Sequence, residues 1–174
     1  RPAGVLPVPG ETGALAGVFS HEGRVIPLID LRPWLHMAAD TPCAYVLVLA
    51  TDGLLAGLAV DAVSSAQKIH PEHIEQVYHD DEPDHFFRYV ARSAGDDELL
   101  NLLEPQRLML RAQAWTRTAG MQAGVDAPPD RVQAGPAVSL AMFELAGRVL
   151  AVPAPLVAEV LPCPPMDTAF GRNG

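Results

Sequence analysis

Three pairs of apolar runs, each broken by a short turn with glycine, constrain this fold more than any other feature. The first occupies residues 18–29 and turns at 21–23, and the second turns at Asp52-Gly53. The third occupies residues 143–152 and turns at 145–147. Glycine supplies the positive φ that tight hairpin turns require, so each pair predicts a β-hairpin.

The third hairpin constrains the topology because it lies far along the chain from the other two. An isolated two-stranded hairpin is marginally stable in water and must bury one face. We therefore predict that residues 138–152 pair with strands from residues 17–63, within one chain or across a swapped homodimer. The apolar residues that motivate this prediction are Val138, Leu140, Met142, Val149 and Val152.

Composition excludes several classes of protein. The chain has 174 residues, 49% of them hydrophobic, which is enough to bury a sizeable core. A net charge of −9 and a single lysine, Lys68, oppose nucleic-acid binding, because phosphate neutralisation requires clustered cations. Since no apolar run approaches the ~20 residues of a membrane span, we expect a cytoplasmic protein without direct membrane insertion.

Helical signals are fewer than strand signals. Pro105 suits the first position of a helix over residues 106–116, with Leu108, Leu110 and Trp115 as apolar candidates. Pro155 predicts a second, shorter helical turn over residues 156–161. Residues 118–136 are rich in Gly, Ala and Pro without apolar periodicity, which predicts a flexible linker.

Five segments together resemble the CheW-like family of bacterial chemotaxis coupling proteins. They are the late hairpin at 138–153, Gly-Val-Phe-Ser-His-Glu-Gly-Arg-Val-Ile-Pro-Leu-Ile-Asp-Leu-Arg at 17–32, Gly-Leu-Ala-Val-Asp-Ala-Val-Ser at 57–64, Ile-His-Pro-Glu-His-Ile at 69–74, and the closing strand and helix start at 97–109. The resemblance implies an all-β fold of two SH3-like five-stranded barrels with a short terminal helix.

The order of these segments differs from that of the family. The late hairpin resembles the family's opening hairpin, and the two halves of one Pro-rich loop lie at residues 161–165 and 5–10. A circular permutation and a fragment of a tandem array both fit, and a domain swap remains open. We divide the chain into the central and C-terminal part of a CheW-like domain at 1–117, a linker at 118–136 and the N-terminal hairpin part at 137–174.

The resemblance also implies a function without catalysis. Family members are adaptors that link methyl-accepting chemoreceptors to the regulatory domain of the histidine kinase CheA, and they need no cofactor. On the receptor-facing side, the family's Asn-Leu-Arg-Gly is replaced by Ser20-His21-Glu22-Gly23, which reverses one charge. Val157 and Glu159 match the family's Val-x-Glu motif. The resemblance therefore predicts a receptor-side site at Ser20, His21, Glu22, Val157 and Glu159.

Two other functions compete with this interpretation. The histidines and carboxylates of residues 70–85 suit a divalent metal and hence a metal-dependent hydrolase, with His70, His73, His79, Asp80, Asp81, Glu82, Asp84 and His85 as candidates. No His-Glu-x-x-His motif is present, and a solvated acidic loop without metal is the favoured interpretation. A purely structural scaffold domain is the third possibility.

We expect structural roles for the cysteines, one charged pair and two aromatic residues. Cys43 and Cys163 are the only cysteines, too few for a disulfide framework or a Cys-rich zinc site, and we expect Cys43 to be an inert small hydrophobe. Asp30 and Arg32 form either a partner-facing charge pair or a structural ion pair. Phe19 and Trp34 are core candidates.

Overall fold

The computed structural model describes residues 4–8, 13–38, 42–77, 85–93, 99–118 and 137–165. These ranges are mostly β, with two sheets and one α-helix. The strands are β1 Leu15–His21, β2 Arg24–Ile29, β3 Tyr45–Thr51, β4 Leu54–Val60, β5 Ala62–Ile69, β6 Ile74–Gln76, β7 Tyr89–Arg92, β8 Leu99–Leu102, β9 Val138–Leu145, β10 Arg148–Pro153 and β11 Val157–Pro162. Helix α1 spans Pro105–Thr118, and 3-10 turns span Pro71–His73 and Ala154–Leu156.

The two sheets share one topology. The first has the strand order β1-β2-β4-β3-β11, and the second has the order β5-β9-β10-β8-β7-β6. In each, the second strand of a hairpin pairs in parallel with a strand from another part of the chain, β2 with β4 and β10 with β8. The tripeptides Gly23-Arg24-Val25 and Gly147-Arg148-Val149 have the same sequence. Each leads into the second strand of a hairpin, so the two tripeptides occupy equivalent positions in the two sheets.

The late hairpin completes the second sheet, and β11 completes the first, within one chain. Strand β9 pairs antiparallel with β5, and β10 lies between β9 and β8. Strand β11 pairs antiparallel with β3. The predicted partner region was therefore correct for the start of β5, whose Ala62 and Val63 face Glu144 and Phe143, but most of the pairing lies beyond it. Residues 119–136, within the predicted linker, lie outside the described residues.

All three predicted hairpin turns are present, and each has a two-residue loop. The paired φ values are 51° and 75° at Glu22-Gly23, 48° and 77° at Asp52-Gly53, and 48° and 75° at Ala146-Gly147. Positive φ at both central residues is the signature of the type I′ turn, whose twist matches that of the flanking strands. The first and third loops are each shorter than the three residues predicted, because His21 pairs with Arg24 and Leu145 pairs with Arg148 in their ladders.

Buried apolar residues form three clusters. The central core lies where the sheets and α1 meet, the first-sheet core covers the other face of the first sheet, and the second-sheet core lies within the second. The central core includes Ile29, Leu47, Leu49, Leu58, Phe86, Leu108, Met109, Phe143, Leu145, Leu150 and Val152. The first-sheet core is Val5, Phe19, Ile26, Leu28, Val46, Val48, Ala59 and Leu161, and the second-sheet core is Ile69, Ala91, Leu100, Leu102, Leu140 and Ala151.

A buried ion network connects the two sheets. The Arg32 side chain is 7% exposed, and its Nε and Nη2 donate to the Asp30 carboxylate at 2.8–3.1 Å. Its Nη1 reaches Asp61 Oδ1 at 3.5 Å, while Asp61 Oδ2 accepts from the Ala146 backbone N–H at 2.6 Å. The hydrogen bonds to Asp30 raise the pKa of Arg32 above its usual value, so the guanidinium stays charged at every physiological pH. Of the two roles predicted for Asp30 and Arg32, the structural one is observed.

Helix predictions were partly wrong. Helix α1 begins at Pro105 as expected and buries Leu108, but Leu110 is 65% exposed, because Met109 and Ala112 occupy the buried face instead. The Trp115 side chain is outside the described part. The helical turn predicted for 156–161 is wrong, since β11 forms there; β-branched Val157 and Val160 favour a strand, and β3 offers it a partner.

The remaining core predictions were correct or nearly so. Phe19 is buried, and Trp34 is partly buried with an edge-on contact to Phe86 at 5.0 Å between ring centroids. Within the part of the chain that the structure describes, no helix is long and apolar enough to cross a membrane.

Removal of the late strands tests their structural role. A chain truncated after Pro136 loses residues from all three cores and leaves β5 and β8 with unpaired edges. We expect it to aggregate or to lose cooperative thermal unfolding, as measured by circular dichroism and size-exclusion chromatography. An unchanged melting temperature would contradict this role.

The ion network is tested by Arg32→Ala. Removing the guanidinium leaves the Asp30 and Asp61 carboxylates without their cation in a mostly buried site, at a cost of about 2–4 kcal/mol in the free energy of unfolding. The matched control is Arg148→Ala, since Arg148 is exposed and has no side-chain partner among the described residues. Urea denaturation of both variants measures the difference; equal stabilities would show that the network contributes little.

Candidate functional site

A groove of about 590 Å³ lies at one end of the first sheet. It is bordered by the β1–β2 turn, the β3–β4 turn and the segment that leads into β11. Because β2 and β4 run parallel, the turns that precede them lie at the same end of the sheet. The lining residues are His21, Glu22, Arg24, Ile26, Val48, Ala50, Thr51, Asp52, Gly53, Leu55, Gln106, Pro155, Leu156, Val157, Ala158 and Glu159.

Four of the five predicted site residues line this groove. His21 ends β1 and Glu22 occupies the exposed turn, while Val157 and Glu159 belong to β11. Ser20 is exposed but is not among the lining residues, because it precedes His21 in β1 and alternate residues face opposite sides of a strand. The structure therefore brings together two motifs that lie more than a hundred residues apart in the sequence.

A β-bulge shapes the wall formed by β11. The register with β3 shifts between Val157 and Glu159, which pair with Leu49 and Val48, so Ala158 is the extra residue. In a regular strand, neighbouring side chains would alternate between the two faces. The bulge instead allows Val157, Ala158 and Glu159 to line the groove together.

One hydrogen bond joins the two walls of the groove. His21 Nε2 lies 2.8 Å from Glu159 Oε2, and the two side chains are 18% and 48% exposed. This contact links the first hairpin to the strand contributed by the far end of the chain. The hydrogen bond also pairs two polar side chains at the rim of the groove with each other.

The groove combines an apolar floor with an acidic rim. Ile26, Val48 and Leu55 supply apolar surface, and Ile26 and Val48 continue into the first-sheet core. The ionisable lining residues include three carboxylates, at Glu22, Asp52 and Glu159, against one guanidinium at Arg24. An apolar partner surface flanked by cations is the complement of this arrangement.

The β3–β4 turn and α1 also contribute to the groove, which was not predicted from the sequence. Residues 50–53 line the groove beside the first hairpin turn, and Gln106 adds a polar group from the start of the helix. The Asp52-Gly53 turn was visible in the sequence. Its position beside residues 21–24 follows from the parallel pairing of β2 with β4, which local patterns do not specify.

The metal candidates do not form a site in the described part. His70 and His73 are exposed, and His73 Nε2 lies 3.8 Å from Glu72 Oε1. His85 borders a separate cavity with Trp34. Candidates His79, Asp80, Asp81, Glu82 and Asp84 lie outside the described residues. Elsewhere, no three His, Cys, Asp or Glu side chains of the described ranges are close enough to hold a metal ion.

The expectation for Cys43 was wrong. Cys43 and Cys163 form a disulfide with a Cα separation of 6.1 Å, although 120 residues separate them in the sequence. Pairing of β11 with β3 brings them together, and the Cys163 N–H donates to the Ala44 carbonyl at 2.8 Å. A contact created by such distant strands leaves no local signal in the sequence.

Two sheets with a similar strand succession and a single α-helix in the described ranges define a mostly-β protein. Comparison with family models assigns residues 1–113 to the CheW-like domain, and the chain therefore belongs to the CheW-like family. The coupling proteins of this family are non-enzymatic chemotaxis adaptors that interact in general with chemoreceptors and with CheA. No curated protein and no solved structure matches the chain.

The hydrogen bond across the groove is tested by a double-mutant cycle with His21→Ala and Glu159→Ala. Because the pair is partly exposed, we expect a coupling energy of only about 0.2–1 kcal/mol. Urea denaturation of the single and double variants measures it. Fully additive effects of the two variants would show that the contact does not hold the walls together.

Proposed function

We propose that this chain is a non-enzymatic cytoplasmic adaptor whose groove binds the signalling tip of a methyl-accepting chemoreceptor. A different surface would bind the regulatory domain of a CheA-type histidine kinase. The observation that carries the proposal is the groove itself. It brings His21 and Glu22, at the family's receptor-side motif, together with Val157 and Glu159 from the Val-x-Glu motif.

The chemistry of the groove suits a protein ridge better than a small polar substrate. Its floor is apolar and continues into the first-sheet core, so a partner's apolar side chains would be desolvated there. Polar groups lie at the rim, where charges act mainly on encounter rate and partner choice. Such a surface holds partners together without an acid, a base or a nucleophile.

The acidic rim further defines the partner. Glu22 replaces the arginine of the family motif and lies beside Asp52 and Glu159 at the groove. We therefore propose that the cognate receptor tip carries basic residues next to its apolar ridge. This charge pattern sets the chain apart from ordinary coupling proteins and favours a specialised chemosensory array.

The finer architecture follows from the same proposal. We infer that each sheet corresponds to one SH3-like five-stranded barrel, with β5 as an additional strand on the second sheet. Both sheets contain the same succession of a hairpin, a parallel pair and two further strands, which supports this correspondence. We also propose that the order of segments is a circular permutation closed within one chain, with a domain-swapped homodimer as the alternative.

Partner choice is tested by Glu22→Arg. We expect this variant to bind a conventional receptor tip about tenfold more tightly, since an unfavourable carboxylate is replaced by the cation that such a tip meets. Isothermal titration at two salt concentrations measures the change, with Glu72→Arg as a control at an exposed carboxylate outside the groove. Equal binding by the native protein and the Glu22 variant would place Glu22 outside the receptor surface.

The location of the site is tested by Ala158→Arg. This exposed residue lines the groove, so a long side chain there should obstruct an apolar ridge and weaken tip binding about tenfold or more while the fold is retained. Ala66→Arg is the matched control, because Ala66 is equally exposed but belongs to β5 in the other sheet. If both variants bind the tip like the native protein, the groove is not the receptor site.

A further inference from the structure

We propose that Cys43 and Cys163 form a reversible thiol–disulfide site that attaches strand β11 to the first sheet. The two residues lie at the same end of the β3–β11 pair, and their Cα separation of 6.1 Å falls within the range that a disulfide spans. They are the only cysteines in the chain, so no other internal thiol competes for the bond.

Strand β11 needs such an attachment more than the other strands of its sheet. It is an edge strand that pairs only with β3, and Leu161 is its one buried residue. Edge elements with few buried contacts open locally at low free energy. A covalent link after its last residue would suppress this opening, and a link between residues 120 apart restricts the unfolded chain strongly.

Solvent reaches the site. A cavity of about 340 Å³ borders both cysteines, together with Pro42, Pro164 and Pro165. A low-molecular-weight thiol can therefore attack one sulfur as its thiolate, form a mixed disulfide and release the other cysteine as a thiolate. A second thiol then displaces the first cysteine, so two small thiols are oxidised to one disulfide while both cysteines become reduced. The reverse reaction with an oxidised small disulfide restores the bond.

The effect of the disulfide on partner binding rests on the proposal that the groove is the receptor site. Val157, Ala158 and Glu159 of β11 form one groove wall, and Glu159 makes the contact with His21. Oxidation would keep this wall in place, whereas reduction would allow it to open. The site therefore makes partner affinity responsive to the thiol redox state, in a compartment where reduction is the usual condition.

The experiment is hydrogen exchange of the full chain without partner, in oxidising and reducing glutathione buffers. We expect amides of residues 157–162 to exchange about tenfold faster after reduction, while those of β9 in the second sheet stay unchanged. The melting temperature should fall by roughly 5–15 °C. The variant with both Cys43→Ser and Cys163→Ser should behave alike in the two buffers.

Two further measurements make the outcomes distinct. Thiol labelling and a non-reducing gel should show an oxidised monomer; free thiols in every buffer, or a disulfide-linked dimer, would overturn the proposal. So would equal exchange of β11 in both buffers. Receptor-tip affinity is then measured in the same buffers. If β11 responds to reduction but affinity does not, the thiol site stands and the assignment of the groove to the receptor is wrong.

Discussion

The contact of the buried Arg32 guanidinium with Asp30 and Asp61 is the interaction on which the rest of the structure depends. Asp30 follows β2, Asp61 joins β4 to β5, and Asp61 in turn accepts a hydrogen bond from Ala146 in the turn of the late hairpin. One ion network therefore connects the first sheet, the passage between sheets and the late hairpin. Because a buried guanidinium requires its partners in place, correct docking of the late hairpin and the satisfaction of this charge are coupled.

The apolar cores also require the late strands to pack against the rest of the chain. The late strands contribute Phe143 and Leu150 to the central core, Leu140 to the second-sheet core and Leu161 to the first-sheet core. No cluster is complete without them, although the family match ends at residue 113. Strands from residues 138–162 thus complete the apolar packing of both sheets. The ladder, the cores and the ion network all join the same two parts of the chain.

Local patterns in the sequence predicted the turns and helix start better than they predicted which strands pair with each other. The three type I′ turns and the start of α1 at Pro105 were predictable, because φ at glycine and the missing N–H of proline act within a few residues. The strand at 157–162 was not, since its apolar spacing also fits a helix and the pairing with β3 decides in favour of a strand. The groove was half predictable for the same reason. His21, Glu22, Val157 and Glu159 carry motif signals, whereas residues 50–53 and the disulfide depend on pairing between distant strands.

Backbone conformation at the three turns bears on the proposed role of Glu22. Asp52, Ala146 and Glu22 all adopt positive φ, which side chains other than Asn, Asp and Gly rarely adopt. Asp52 suits its position, and Ala146 is compensated by the hydrogen bond from its N–H to Asp61. Glu22 has no side-chain partner among the described residues, and its carboxylate is exposed at the groove. At the proposed receptor site, contact of this carboxylate with a cationic partner would offset the backbone cost at Glu22.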